Sequence, residues 1–132
     1  MPLVRLSLAK GKPAALRRAI GDAVHQALVD TIQIPAADRF QILAEHEAGD
    51  LVYDAGYLGI VRTPDIVMIQ ITMSTGRPLE KKRALFRRIA DNLAALGLRR
   101  EDALINLVEV AWENWSFGNG VASYAPPEAA TV

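Results

Sequence analysis

The chain of 132 residues contains no cysteine, so disulfide bonds, thiolate metal ligands and cysteine nucleophiles are excluded. Histidine is almost as scarce. His25 and His46 lie far apart in sequence and lack the spacing of a metal-binding motif. Neither residue type therefore predicts a metal centre.

The chain also lacks an excess of charge and a long apolar run. Its 15 Lys and Arg residues balance 15 Asp and Glu residues. Proteins that bind nucleic acid normally carry a basic excess, so we expect no nucleic-acid partner. No apolar run approaches a membrane span, and the start lacks a signal-peptide pattern, so we expect a cytoplasmic protein without a membrane partner. The apolar content of 51% favours self-association.

Two segments of the chain resemble each other in order and in spacing. Gly-Lys-Pro around Lys12 is matched by Gly-Arg-Pro around Arg77, 65 residues later. Asp38 is matched by Asp102, 64 residues later. Several matches at a nearly constant offset predict a duplicated supersecondary unit.

Each repeat has the pattern of a strand, a helix and a second strand. Apolar and polar residues alternate at the start of the chain, which indicates a strand with one buried face. Apolar residues at four-residue spacing predict amphipathic helices. The expected strands are 3–8, 40–44, 66–73 and 104–110, and the expected helices are 14–31 and 79–96.

The repeats predict one α+β domain over residues 1–132. Two β-α-β units, about 2–47 and 65–111, would form a four-stranded mixed sheet with two helices on one face. We expect residues 50–60 to form a connecting hairpin or a short strand with loops, and 112–126 to form a C-terminal hairpin tail. The uncovered sheet face favours association around a symmetry axis.

Four features of the sequence could take part in catalysis or in substrate binding, and each also has a purely structural explanation. Pro2 would be a basic secondary amine if Met1 were removed, although proline after methionine is common. Asp38 could be only a turn residue, as the matching Asp102 in the second repeat indicates. Arg77 could be a solvated charge, although cations are disfavoured where a helix begins. The aromatic residues of the tail could pack at a subunit interface.

Taken together, these segments resemble the tautomerase superfamily, and within it the malonate semialdehyde decarboxylase branch. The resemblance is carried by Pro2-Leu-Val-Arg, Asp38-Arg39-Phe40-Gln41, Gly76-Arg77 and Trp115-Ser-Phe-Gly-Asn-Gly120, with Tyr124 following. It covers nearly the whole chain, and the tail motif is its most specific part. It implies the tautomerase fold, an amino-terminal proline exposed by methionine removal, and a homotrimer.

The resemblance also implies roles for individual residues. The catalytic residues would be Pro2, Asp38 and Arg77, with Arg77 binding the carboxylate of the substrate. The substrate-binding residues would be Trp115, Phe117 and Tyr124. Arg39 and Gln41 are further candidates for substrate binding, although strand alternation alone does not place them in the pocket.

The resulting hypothesis is an enzyme without metal or organic cofactor that uses Pro2 as a general acid or base. Its partner would be a small carboxylate substrate, an oxo acid or the enol of one. One alternative is decarboxylation of a 3-oxo acid such as malonate semialdehyde. Some decarboxylases of this branch carry a second arginine just before the position of Arg77, where this chain has Ser74, Thr75 and Gly76. An alternative of another class is a non-catalytic trimeric binding protein.

Overall fold

The strands and helices follow one another along the chain in the order that the repeats predict. The computed structural model describes residues 1–129. The elements are β1 (Leu3–Ala9), α1 (Ala14–Ile32), β2 (Phe40–His46), β3 (Val67–Ser74), α2 (Leu79–Ala95) and β4 (Ala103–Val110). The expected boundaries differ from these by at most two residues. Within the described residues, no helix is both long and apolar enough to cross a membrane.

The four strands form one mixed sheet in the order β2-β1-β3-β4, which confirms the expected architecture. β1 pairs with β2, and β3 with β4, in parallel. The two repeats join through the antiparallel pair β1 and β3, in which Leu3 lies opposite Thr72. The start of β1 and the end of β3 therefore lie at the same end of the sheet.

The core lies between the sheet and the two helices. Alternate side chains of β1 and β3 point into it, and one stripe of each helix packs against them. The fully buried side chains include Leu6, Leu8, Ile20, Leu28, Ile69, Ile71, Leu85, Ile89 and Leu93. The opposite face of the sheet has no such cover among the described residues, and it exposes apolar side chains of β1, β2 and β4.

The predicted hairpin over 112–126 is wrong, because this segment forms a loop without strands. Gly118, Asn119 and Gly120 all have positive φ, and three such residues in succession curl the chain away from an extended path. The loop closes on itself where the N–H of Ser123 donates to the carbonyl of Trp115 (3.0 Å). Its aromatic side chains are thereby held over the end of the sheet.

The connection between the repeats also differs from the expectation. Residues 47–66 contain two short 3-10 turns, at Ala48–Asp50 and Tyr57–Gly59, and no strand. Leu58 has a φ of 60°, which interrupts an extended chain. The segment is therefore an irregular crossing rather than a hairpin.

Candidate active site

Three groups from distant parts of the sequence meet at one end of the sheet. The N-terminal amine precedes β1, Asp38 lies two residues before β2, and Arg77 lies between β3 and α2. Parallel β1 and β2 begin at the same end, and antiparallel β3 finishes there. The duplicated topology therefore places an amine, a carboxylate and a guanidinium side by side.

The N-terminal amine lies in an environment that favours its neutral form. It belongs to Met1 and forms an ion pair with the carboxylate of Asp38. Burial, and then the nearby charge of Arg77, lower the pKa of the Met1 amine from 8.0 to about 6. The carboxylate acts in the opposite sense, since a negative charge favours the ammonium form. Pro2, the next residue, is buried at the start of β1.

Arg77 presents a positive charge without a carboxylate partner among residues 1–129. Its Nη1 donates to the carbonyl of Ser74 (2.9 Å), and its guanidinium lies 5.6 Å from the centroid of the Trp112 ring. Both contacts orient the group without neutralising it. The N-terminus of α2 follows directly and also favours an anion. This corner therefore suits a carboxylate.

Two cavities open at this end of the molecule. One, of about 380 Å³, has a mixed polar and apolar surface and is lined by Ile32, Gln33, Thr75, Gly76, Arg77, Pro78, Lys81 and Trp112. The other, of about 290 Å³, is mainly apolar and is lined by Leu3, Phe40, Trp115, Ser116 and Phe117. The first can hold a small anion, and the second can exclude water from a reacting group.

The three tail aromatics predicted for substrate binding are brought together. Trp115 stacks on Phe117 with ring centroids 5.3 Å apart, and Tyr124 meets Phe117 edge-on at 5.4 Å. Phe40 and Trp112 extend the group, at 5.6 Å from Phe117 and 5.3 Å from Tyr124. These five residues form an aromatic cluster beside the polar groups.

Ser74 links the aromatic cluster to Arg77. It is the last residue of β3 and has an exposed fraction of 0%. Its hydroxyl accepts a hydrogen bond from Nε1 of Trp115 (2.9 Å), and its carbonyl accepts the bond from Arg77 described above. The sulfur of Met1 lies 3.5 Å from the same hydroxyl.

Arg39 and Gln41 are not brought to the amine. Arg39 pairs with Asp22 of α1 (2.7 Å), and Nε2 of Gln41 donates to the carbonyl of Gly21 (2.8 Å). Gln41 lies opposite buried Val4, so strand alternation turns it towards the helices. A Cβ at Gly21 would lie 2.8 Å from the Gln41 amide oxygen, so a larger residue there would displace the end of this side chain.

Sequence reasoning missed the contributions of Trp112 and Ser74. Trp112 lies three residues before Trp115, and this spacing was the available signal. Its Nε1 donates to the carbonyl of Thr75 (3.2 Å), which pins the tail to the turn before Arg77. Ser74 carried no signal in sequence, because its closeness to the N-terminus depends on the register of β1 and β3.

Known proteins resemble this chain in sequence over most of its length. Two models of the family described as tautomerase enzyme match residues 38–118 and 2–56. The probable tautomerase YusQ of Bacillus subtilis strain 168 is 36% identical over 123 residues, which cover 92% of this chain and 97% of that protein.

Solved structures agree with the family models. FG41 malonate semialdehyde decarboxylase inhibited by 3-bromopropiolate is 42% identical, with a TM-score of 0.88 and coverage of 92% of this chain and 93% of that one. A symmetric trimer of fused 4-OT is 26% identical, with a TM-score of 0.75 and coverage of 92% and 97%. The fold, the site and these relatives together show that the chain is an enzyme of the tautomerase superfamily.

Proposed function

We propose that this enzyme acts on a small oxo acid, or on its enol, with the amine of Pro2 as general acid or base. The observation that carries the proposal is the position of the N-terminal amine, between the carboxylate of Asp38 and the guanidinium of Arg77. In the second repeat the residue 65 positions after Pro2 is Val67, which lies inside a continuous chain and offers no amine. The proposed chemistry therefore belongs to the first repeat alone.

Removal of Met1 would make Pro2 the terminal residue. Its secondary amine would then lie at the start of β1, close to the same carboxylate and guanidinium. A proline amine is normally more basic than other α-amino groups, so lowering its pKa towards neutrality matters for catalysis. A base works best when its pKa lies near the ambient pH, because it is then both deprotonated and able to take a proton.

For an enol substrate, the proposed reaction moves one proton. Arg77 binds the carboxylate through two parallel hydrogen bonds. The neutral amine of Pro2 takes the proton of the enol hydroxyl, the oxygen electron pair forms the carbonyl, and the carbon of the former double bond accepts a proton from the ammonium. The aromatic cluster excludes water and so strengthens the interactions between these charges.

Decarboxylation of a 3-oxo acid is the second candidate, favoured by the 42% identity to FG41 malonate semialdehyde decarboxylase. The neutral Pro2 amine would add to the carbonyl and lose water. The resulting iminium would take the electron pair of the carbon–carboxylate bond as carbon dioxide leaves, which gives an enamine. The enamine carbon would then accept a proton, and water would hydrolyse the iminium so formed to the aldehyde and the Pro2 ammonium. Alternatively, a protonated Pro2 would polarise the carbonyl directly.

We further propose that both repeats form one domain, which assembles as a homotrimer through its open sheet face. This face exposes Leu3, Ile42, Leu104 and Val108 to between 37% and 41%, and exposed apolar patches of this kind mark interaction sites. The trimer of fused 4-OT offers a precedent for assembly. The cytoplasmic location stays a prediction from the sequence.

Intact mass combined with two assays of Pro2→Ala tests the proposal. We expect the wild-type mass to lack methionine. We expect enol–keto conversion of phenylpyruvate, and any decarboxylation of malonate semialdehyde, to fall by about 10²-fold or more in the variant, because general acid–base catalysis contributes that much. Pro13→Ala, at the opposite end of the sheet, is the matched control and should retain activity.

Two results would contradict the proposal. One is a Pro2→Ala enzyme as active as wild type. The other is full activity in a protein whose mass retains methionine, since the amine would then not belong to proline. If only malonate semialdehyde is converted, decarboxylation becomes the leading function.

A further inference from the structure

We propose that the hydroxyl of Ser74 donates a hydrogen bond to the reacting carbonyl or enol oxygen of the substrate. This inference rests on the proposed function, because it requires that Met1 be removed and that an oxo acid bind beside Pro2. It makes Ser74 a further catalytic residue, in addition to Pro2, Asp38 and Arg77.

The hydroxyl proton of Ser74 has a weak acceptor in the structure. The residue is 0% exposed, so its hydroxyl cannot turn to solvent. Nε1 of Trp115 is a donor only, so the hydroxyl must be the acceptor in their 2.9 Å bond. Among residues 1–129, the one acceptor for the hydroxyl proton is the sulfur of Met1, at 3.5 Å. A thioether sulfur is a weak acceptor.

The register of the sheet explains why Met1 lies there. Leu3 pairs with Thr72 in the antiparallel ladder of β1 and β3. The ladder ends at this pair, and the same register continued by two residues would bring Met1 opposite Ser74, where its sulfur is found 3.5 Å from the hydroxyl. Loss of Met1 would open a space beside the Ser74 hydroxyl and the new Pro2 amine together. Buried hydrogen-bonding groups are almost always paired in folded proteins, so this donor is suited to a ligand that fills the space.

Ser74 is also joined to the group that would hold the carboxylate. Its carbonyl accepts the hydrogen bond from Nη1 of Arg77 (2.9 Å), so the residue that carries the hydroxyl also orients the guanidinium. A substrate carboxylate on Arg77 would bring an oxygen only one or two carbons away towards the hydroxyl. The geometry thus points to 2-oxo or 3-oxo acids, in which carbonyl and carboxylate are this close.

A donor in this position would act mainly on the transition state. Negative charge develops on the substrate oxygen as the enol loses its proton, or as a carbonyl is polarised. Trp115 donates to the hydroxyl oxygen, so the hydroxyl proton must point away from the indole, and its acceptor in the structure lies on the side occupied by Met1. Such preorganised donors typically affect kcat more than the binding of the ground state.

The first repeat indicates that the strand itself does not need this hydroxyl. Ala9, 65 residues before Ser74, holds the equivalent place at the end of β1. An alanine is therefore compatible with the backbone at the end of such a strand. Ser74→Ala also keeps the carbonyl that orients Arg77, so it removes the hydroxyl alone.

The test compares Ser74→Ala, Trp115→Phe and the double variant in the enol–keto assay, with Met1 removal confirmed by mass. We expect kcat to fall by about 10²- to 10³-fold in Ser74→Ala, in the range seen for loss of a single preorganised donor. We expect KM and the pH at which the rate rises to stay unchanged, because Arg77 and the amine are untouched. The double variant should be no worse than Ser74→Ala, because phenylalanine keeps an aromatic ring in the cluster and the lost indole N–H would act through the hydroxyl. Thr31→Ala, which removes a hydroxyl from α1, is the control.

Outcomes that overturn the inference differ from those that overturn the proposed function. Wild-type kcat in Ser74→Ala, or a change confined to KM or to the pH profile, rejects substrate donation while Pro2→Ala stays inactive. An active Pro2→Ala rejects the proposed function itself. If Ser74→Ala fails to fold, Ser74→Cys keeps the shape with a much weaker donor, and wild-type kcat in that variant would reject the inference.

Discussion

Asp38 and Asp102 are equivalent residues of the two repeats, but the structure gives them different partners. Asp102 is buried and accepts hydrogen bonds from the N–H (2.7 Å) and the hydroxyl (2.5 Å) of Thr63. In the second repeat the chain continues in front of β3, so the Asp102 carboxylate binds Thr63 of that preceding segment. The first repeat begins instead with a terminus, and Asp38 binds the amine. Of these two equivalent carboxylates, Asp102 thus has a structural role and Asp38 a candidate catalytic role.

Because the partners differ, substitution of Asp102 should affect mainly stability, and substitution of Asp38 should affect mainly activity. Asp102→Asn should lower the free energy of unfolding by about 1–3 kcal/mol, because an amide cannot accept both bonds from Thr63. Asp38→Asn should leave stability almost unchanged and lower kcat/KM at least about tenfold, because the charge beside the amine is lost. Urea unfolding and the enol–keto assay measure both effects. Equal loss of stability in the two variants would indicate that Asp38 is only a turn residue.

The two helices start with equivalent cations at opposite ends of the sheet. Lys12 precedes α1 and pairs with Asp65 (2.7 Å). Arg77 precedes α2, at the end of the sheet that carries the amine, and keeps its charge free of a carboxylate among the described residues. The antiparallel pairing of β1 with β3 is what separates them, since the strands that lead into the helices run in opposite directions.

The pH dependence of the rate should distinguish these two helix starts. A neutral amine acts as the base, so the rate should rise with pH through the amine pKa and then level off. Arg77 lowers that pKa by its charge, as it does for the Met1 amine. Arg77→Ala should therefore move the rise to higher pH and raise KM for the carboxylate substrate by about 10- to 100-fold, the equivalent of a charged hydrogen-bond pair. Lys12→Ala should change neither quantity, and a shift in both variants would argue against a local effect of Arg77.

For the whole molecule, the helices cover only one side of the sheet. The other side combines apolar residues with polar ones such as Arg5, Gln70 and Asn106, which line a cavity on this face. An assembly that buries this face would hide the apolar side chains and still satisfy the polar groups across the interface. Sheet packing around a symmetry axis is therefore the arrangement that we propose for the trimer.

Two leucines of similar exposure test this arrangement. Leu104 lies on the open face of β4 and is 41% exposed, and Leu96 lies at the end of α2 and is 37% exposed. Leu104→Glu should shift the sedimentation coefficient from trimer to monomer, because a buried unpaired carboxylate opposes association. Leu96→Glu should leave the trimer intact. A monomeric wild-type protein, or a trimer that tolerates Leu104→Glu, would contradict association through this face.

The strands, the helices and the duplication were predictable because they depend on local patterns. Alternation in β1 and four-residue spacing around Ile20 and Ile89 report which side chains must be buried. The tail was not predictable in this way. The positive φ of Asn119, between two glycines, turns a segment with the composition of a hairpin into a loop. Arg39 and Gln41 were misleading for a similar reason, because only the register of β2 shows that they meet α1.

The sequence by itself determined the repeat, the elements and the residue types available for chemistry, because periodicity and turn residues act over short distances. The repeat alone left open which of the two aspartates meets the amine and which helix start faces it, and only the tertiary structure placed Ser74 beside it. These juxtapositions arise from the antiparallel pairing of β1 with β3. That pairing joins residues about 60 to 70 positions apart, and no local pattern encodes the register of strands so far separated.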